Sequence, residues 1–347
     1  MFATNSKSSY AHSAFGLKLA TINLFNFIEP PGAYYEFCNI YSEDQWRQKR
    51  AWLNRYIGSY QPDIIAFQEV FSATALKALL EPLGYRFFSV VDEPEPIDDY
   101  IYKSPVVCLA SRYPILSALP LQADPSLSRQ LGMSEDFQYS RLPLFATMEL
   151  PSLGQTDIYV VHLKSKRPVT PENEDEKAKT LHESMREEIA GSWASAIQRG
   201  TEACQLMASI IKRRSHTNNP AIVMGDFNDD IQSEVLRAFR HHGLRSITED
   251  MVDVPLSHYQ MHDSWDLYLK NIGETSIERP KTHYFHAKGS VIDYILLSNE
   301  FNSADPASLA EVGDFHCEDS HLINPKFDLD AYSSDHAIVS VTISLRR

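Results

Sequence analysis

Ala221-Ile222-Val223-Met224-Gly225-Asp226-Phe227-Asn228 is an apolar run that ends in a glycine, a carboxylate and an amide. Read as a buried strand emerging at a sheet edge, it presents Asp226 and Asn228 there, two residues apart. Side chains alternate along a strand, so both face the same way. A carboxylate and an amide fixed in this manner orient a water and hold a phosphate oxygen. The same letters also spell a strand followed by a turn, because Gly, Asp and Asn are ordinary turn residues. The remainder of the chain decides between these readings.

The 347 residues, 43% of them hydrophobic, suffice for one large core or two domains. With 32 basic and 46 acidic residues the formal net charge is −14. That balance is unlike a high-affinity, nonspecific nucleic-acid binder, which carries a basic footprint. A metal site, by contrast, needs acidic residues, and divalent cations offset part of their field. Cys38, Cys108, Cys204 and Cys317 lie too far apart to read as a disulfide framework. The first ten residues lack a signal peptide's basic start and apolar stretch. No window approaches the roughly 18 apolar residues of a membrane span. The expectation is a soluble, cytoplasmic protein with no protein partner evident; a chain without its leader would read the same.

Residues 1–15 are polar and Ser-rich and read as a flexible tail. Short apolar runs at 17–22, 63–67, 86–91, 105–110, 143–150, 157–163, 221–224, 291–297 and 337–344 have strand lengths. Residues 43–58 place Trp46, Lys49, Leu53 and Ile57 at helical spacing behind Ser42 as N-cap. A second helix is expected over 72–81, begun by Ser72, and a long one over 176–214. Residues 92–99 and 299–333, dense in Pro, Asp, Ser and Asn, read as loops. No linker divides the chain. The reading is one α/β domain over 16–347, with an insertion near 165–195 and a largely antiparallel or mixed sheet arrangement with helices outside.

Several apolar runs carry polar residues at their ends. These are Thr21-Ile22-Asn23-Leu24-Phe25-Asn26, Phe67-Gln68-Glu69-Val70, Val161-His162-Leu163-Lys164-Ser165, Gly225-Asp226-Phe227-Asn228, Ile292-Asp293-Tyr294 and Ser333-Ser334-Asp335-His336. A carboxylate such as Asp293 among Val, Ile and Tyr is costly unless paired, and His336 is a candidate partner. Each has a plainer reading alone: Glu69 as a surface or helix-start acid, Asn23 and Asp335 as turn formers, His162 as a core histidine, Lys164 and Lys166 as solvated charges. Their joint occurrence at strand ends argues against those readings.

In this order the set resembles the endonuclease/exonuclease/phosphatase superfamily, the deoxyribonuclease I-like metal-dependent phosphoesterases. The resemblance runs from about residue 17 to 344, and Ala110-Ser111-Arg112-Tyr113-Pro114-Ile115 and Ser140-Arg141-Leu142-Pro143-Leu144 extend it. It implies a four-layer α/β/β/α sandwich of two packed mixed sheets with outer helices, and an active site at one end. It further implies Glu69 as the main metal ligand, with Asn23 and Asp335 close to the same ion. Asp226 and Asn228 would orient the attacking water and bind phosphate. His336 paired with Asp293 would serve as base or phosphate-stabilising imidazole, His162 would stand on the leaving-group or phosphate side, Arg141 would reach the phosphate or brace the site, and Lys164 would contact phosphate. The cofactor implied is Mg²⁺, with Mn²⁺ a plausible substitute, since a sparse oxygen ligand set suits a hard cation.

The substrate implied is a phosphodiester, most simply DNA or RNA. Met224-Gly225-Asp226 lacks the Trp usual in the inositol phosphatase branch, and Val161-His162-Leu163-Lys164 departs from the abasic-site branch. The deoxyribonuclease I branch pairs its equivalent of His162 with a glutamate, whereas Lys103-Ser104-Pro105-Val106 offers none. The alternative is a phospholipid, sphingomyelinase-like, or small-molecule phosphodiesterase or phosphatase. It would carry an apolar rim, for which Phe25, Phe27, Ile28, Tyr34 and Tyr35 are candidates. A non-catalytic protein of the same fold is the third reading. His316, Cys317 and His321 lack zinc-type spacing, and His241-His242 reads as surface. His283, His286 and Lys288 either line the groove or lie on an exposed hairpin.

Overall fold

The computed structural model describes residues 16–169, 180–240, 243 and 255–346. The tail expected at 1–15, the His241-His242 pair and residues 170–179 of the expected insertion lie outside them. Two six-stranded sheets organise the chain. The first runs, edge to edge, Ala310–Glu318, Ile338–Leu345, Gly16–Phe27, Ile64–Val70, Val106–Ser111 and Phe87–Val90. The second runs Met261–Asp263, Asp293–Ser298, Ala221–Asp226, Gly154–His162, Leu144–Leu150 and Ile115–Pro120. Both are mixed. Gly16–Phe27 is parallel to Ile64–Val70 and antiparallel to Ile338–Leu345, and Ala221–Asp226 is parallel to Gly154–His162 and antiparallel to Asp293–Ser298.

Strand alternation explains the layering. Leu17, Leu19, Ile64, Ala66, Val107 and Leu109 of the first sheet meet Ile158, Val160, Ile222, Met224, Ile295 and Leu297 of the second in one core. The opposite faces are covered too. Ile22, Ile65 and Phe67 pack on Trp46, Leu53 and Ile57 of the helix Glu43–Tyr60 and on Leu76 and Leu80 of the helix Ala73–Leu80. Tyr159, Val161, Val223 and Leu296 pack on Leu206, Met207 and Ile210 of the helix Leu181–Arg214. The result is the α/β/β/α sandwich that the resemblance implied. Strands buried on both faces read as unbroken apolar runs, which is why 221–224 and 291–297 stood out in the sequence.

Local chemistry sets the helix starts. Ser42 and Gln45 form a reciprocal capping box, with Ser42 N–H donating to Gln45 Oε1 at 2.8 Å and Gln45 N–H to Ser42 Oγ at 3.3 Å. Thr180 and Glu183 do the same for the long helix. Ser72 does not act as a capping side chain; its hydroxyl accepts from Glu29 N–H at 2.8 Å, and the helix begins at Ala73.

Two expected loops contain strands. Within 299–333, Ala310–Glu318 forms the edge of the first sheet, and a register shift between Val312 and Asp314 breaks the period of two that would have marked it. Within 92–99, the exposed strand Glu95–Asp98 pairs with Ile101–Lys103 and carries no apolar signal. Ile115–Pro120, Met261–Asp263 and the helix Ser264–Ile272 are further elements beyond the sequence reading.

Register delivers the polar strand ends to one place. Across the parallel pair His162 lies opposite Asp226, and across the antiparallel pair Asp226 lies opposite Asp293. Gly225 makes the first of these approaches possible. Its φ is +152°, and an added Cβ would stand 1.9 Å from the Val161 carbonyl oxygen. Gly225→Ala is expected to cost about 3 kcal/mol or more, read as a fall in the urea midpoint; an unchanged midpoint would show that the strand pair has room to part.

Candidate active site

Asp226 is the meeting point of the strand ends. Its side chain is buried, and Oδ1 accepts the Asn228 N–H at 2.7 Å. Oδ2 accepts from Asn23 Nδ2 at 3.0 Å and Asn228 Nδ2 at 3.3 Å, and lies 3.5 Å from His162 Nε2. Asn23 belongs to the first sheet and Asp226 to the second, so this hydrogen bond spans the sandwich. Burial, together with the nearby Asp293 and Glu69 charges, pushes the Asp226 carboxyl up to about 7 against the pull of His336 and the Asn228 N–H.

His336 is buried beside three carboxylates. Its Nδ1 lies 2.9 and 3.1 Å from the two Asp293 oxygens, and its Nε2 lies 3.9 Å from both Asp226 Oδ2 and Asp335 Oδ1. Burial alone would lower its pKa, but the Asp293 and Asp226 charges outweigh burial and hold it well above the usual histidine value. The backbone around the pair is tied down. Thr282 Oγ1 accepts the N–H groups of Ile292 and Asp293, Thr282 O accepts Ala337 N–H, and Ser334 Oγ links His336 N–H to Asn23 O. His162 is the opposite case. Burial, then Arg141, His336 and Lys164, hold its pKa well below the usual value, so it is neutral. Its Nδ1 is buried without a hydrogen-bond partner, and no glutamate comes from 103–106; the carboxylate near it is Asp226, on the other ring nitrogen.

Glu69 and Asp335 supply oxygens beside this centre. Glu69 Oε2 accepts Asn26 N–H at 3.0 Å and Oε1 accepts Asn23 Nδ2 at 3.4 Å. Two further oxygens, Asp335 Oδ1 and Asn26 Oδ1, are buried with no hydrogen-bond partner. Carboxylate and amide oxygens left without donors suit a hard cation, so Asp335 and Asn26 fit one, with the Glu69 carboxylate, each of whose oxygens accepts one hydrogen bond, beside them. Asn23, which the resemblance implied as a ligand close to the ion, stands between the Glu69 and Asp226 carboxylates. Its carbonyl oxygen accepts Phe25 N–H at 3.0 Å, and its amide donates to Glu69 and Asp226, so it aligns carboxylates. Phe25, Asn26, Glu69 and Asn228 all have left-handed backbones, with φ between 48° and 59°, a conformation that non-glycine residues keep only where the surroundings enforce it.

A cleft of about 770 Å³ opens over these groups. Glu69, Asn26, His162, Asp226, Asn228, Asp335 and His336 line its floor, and Arg141, Lys166, Arg167 and Lys288 stand around it. Lys164 is not among the lining side chains; its N–H donates to Glu202 Oε2 at 2.7 Å and its carbonyl accepts from Arg199 Nη1 at 3.0 Å. Glu202 also accepts from Ser140 N–H at 2.7 Å, and Arg199 binds Asp229. The long helix thereby fixes Ser140, Lys164 and Asp229, the neighbours of Arg141, of the strand end at His162 and of Asn228. Behind the floor, Lys49 is almost fully buried, with its ammonium 5.7 and 5.5 Å from the Phe25 and Tyr41 rings. Burial lowers its pKa to about 8 against the raising charges of Asp335 and Glu69. Of the apolar rim candidates, Phe25 and Tyr35 line the cleft, whereas Phe27 and Ile28 are buried in the core.

Asn26, Lys49, Arg199, Glu202 and Thr282 were not singled out as site residues by sequence. Asn26 closes a strand end that was, and Lys49 lies on a predicted buried helix face; the other three gave no signal.

The model of the endonuclease/exonuclease/phosphatase family matches residues 20–336, and the chain belongs to that family, whose members are hydrolases of phosphoric esters and generally depend on a divalent metal. No curated protein sequence is significantly similar to the chain. Among solved structures, the human Nocturnin catalytic domain with bound sulfate superposes with a TM-score of 0.57 at 19% identity, covering 95% of each chain. A family protein from Bacteroides vulgatus gives 0.55 at 15% identity, over 96% of this chain and 100% of that one. Humanized D. rerio TDP2 gives 0.53 at 15% identity, over 95% and 99%. At these identities the likeness is one of fold.

The Asp226 carboxyl, at about 7 in the folded chain, lies above the roughly 3.9 of an unfolded aspartate. The folded state therefore binds the extra proton between those values, and the stability this group contributes below about pH 4 is lost as pH rises through about 7. In EDTA, Asp226→Asn is expected to gain in Tm relative to wild type from pH 5 to pH 8. A constant offset would show Asp226 ionised throughout.

Proposed function

We propose that this enzyme is a divalent-metal-dependent phosphodiesterase that hydrolyses DNA or RNA by in-line attack of water. The observation that carries the nucleic-acid reading is the cleft rim. In a chain of formal net charge −14, Arg141, Lys166, Arg167 and Lys288 gather around one anion-sized floor. Phe25, Tyr35 and Phe285 line the same cleft and offer faces on which bases stack.

A divalent cation held by Glu69, Asp335 and Asn26, Mg²⁺ or Mn²⁺ in its place, would neutralise the phosphate charge and stabilise the transition state. The chain's own residues do the rest. Asp226, fixed by Asn228 and Asn23, orients the water and takes its proton. The His336 imidazolium, held by Asp293, faces the developing charge on phosphate. Neutral His162 contributes an N–H to a phosphate oxygen and has no proton to transfer from a cationic form. Arg141 and Lys288 orient the anion from the rim, next to Lys166, which is paired with Asp229 at 2.7 Å. Compartment follows the sequence expectation of a cytoplasmic enzyme; among the described residues no helix is long and apolar enough to cross a membrane.

The second reading, a lipid or small-molecule phosphodiesterase, is favoured by Phe285, which is 70% exposed beside the cleft. A Mg²⁺ panel of plasmid, single-stranded DNA, RNA, sphingomyelin, inositol phosphates and bis(p-nitrophenyl) phosphate separates the two. Nucleic acid is expected to be cut, with loss of all turnover in EDTA; full activity in EDTA refutes the metal mechanism, and preference for sphingomyelin selects the lipid reading. Asp226→Asn and His336→Ala should each lower kcat by about 10²-fold or more with the circular dichroism unchanged, and Glu69→Ala should raise the Mg²⁺ needed for half-maximal rate. Arg141→Gln combined with Lys288→Gln should depress nucleic-acid cleavage far more than cleavage of bis(p-nitrophenyl) phosphate.

A further inference from the structure

His283 opens the hairpin that overhangs the cleft, formed by His283–Phe285 and Lys288–Ser290. It makes an antiparallel bridge with His336, and the two imidazole centroids are 5.0 Å apart. One donor atom from each of His283, Asp335 and His336 lies within 4.8 Å of the others. A neighbouring trio, Asp226, Asp293 and His336, is equally close, but its carboxylates are engaged: Asp293 with His336 Nδ1, Asp226 with Asn23 and Asn228. In the His283 trio the engagement is weaker: His336 Nε2 has Asn23 Nδ2 beside it at 3.4 Å. His336 turns Nε2 toward Asp335 Oδ1 at 3.9 Å, and that oxygen is buried with no hydrogen-bond partner.

Donor chemistry selects the ion. Two imidazole nitrogens and one carboxylate oxygen suit Zn²⁺ and its borderline neighbours, whereas Mg²⁺ takes oxygen ligands and water. A histidine on zinc holds its second ring N–H on a carboxylate, and Asp293 already stands in that position for His336. Tetrahedral zinc with bonds of 2.0–2.1 Å needs donors about 3.4 Å apart. The trio must contract by roughly an ångström, which the half-exposed His283 can supply from its place at the hairpin edge. Three protein ligands leave the fourth position to water or substrate.

We propose that His283, Asp335 and His336 form an inhibitory site for a zinc-class cation. Coordination occupies Nε2 of His336 and takes that ring nitrogen away from the phosphate, any proton on it passing to solvent. The same ion draws Asp335 away from the hard-cation ligands, so the two metals compete. The inhibitory consequence rests on the function proposed above; the binding itself does not.

Equilibrium dialysis of the full chain with Zn²⁺ in excess Mg²⁺, with Co²⁺ absorption as a spectroscopic report, tests the site. Wild type is expected to take up one Zn²⁺ here, with ligand-field bands of tetrahedral Co²⁺. His283→Ala, and His283→Gln should the first variant fold poorly, should weaken that uptake by at least about tenfold, and Asp293→Asn by about 10–100-fold. Zn²⁺ should inhibit Mg²⁺-supported turnover in wild type, with the inhibition curve of His283→Ala shifted to higher Zn²⁺ by the same factor. Uptake and Co²⁺ bands unchanged in the His283 variants overturn the site. His283-dependent uptake without inhibition overturns its competition with the reaction. His283-dependent uptake in a chain that hydrolyses no phosphodiester supports the site and refutes the function instead.

Discussion

The hydrogen bond from Asn23 to Asp226 is the constraint on which the rest of the molecule depends. It joins the end of one sheet to the end of the other, and both residues are buried. A buried carboxylate is tolerable only when its lone pairs are met. Asp226 is met from both sheets, by Asn23, by the Asn228 N–H and by His162 nearby. The separation of the sheets is in turn set by the side chains between them, Met224 and Ile295 among them. The apolar core and the polar site are therefore one structure: the packing thickness of the sandwich is also the spacing of the donors.

Around that contact the chain sorts two imidazoles into opposite states. Burial disfavours the charged form of both rings; the carboxylates beside His336 overcome it and raise its pKa, whereas Arg141 and Lys164 beside His162 add to it. The separation comes from placement, since both rings are equally removed from water. One imidazole thus stands among negative charges and the other among positive ones.

Much of this was legible in the sequence, because a polar residue at the end of an unbroken apolar run is an anomaly that a strand end explains. Asp226, Asn228, Asp293, His336, His162, Glu69 and Asp335 all gave that signal, and register brings them to one end of the sandwich. The rest was hidden for specific reasons. Arg199 and Glu202 sit in a long charged helix, where charged letters give no sign of burial, yet both are buried against the loop at Lys164. Ala310–Glu318 was masked by its bulge. The contacts of Asn23, its amide to Glu69 and Asp226 and its oxygen to Phe25 N–H, depend on which partner lies on each side, and the sequence does not show that.

The left-handed backbones at Phe25, Asn26, Glu69 and Asn228 have a consequence for how this chain changes over time. Each costs of order 1–3 kcal/mol, a large share of a fold's net stability of about 5–15 kcal/mol when summed. A screen that rewarded heat resistance alone would find easy gains at these four positions, by admitting glycine or releasing the turn. A lineage that must keep catalysing cannot accept them. The cleft thus marks where durability and turnover are opposed, and it holds the chain below the robustness its two packed sheets would otherwise reach.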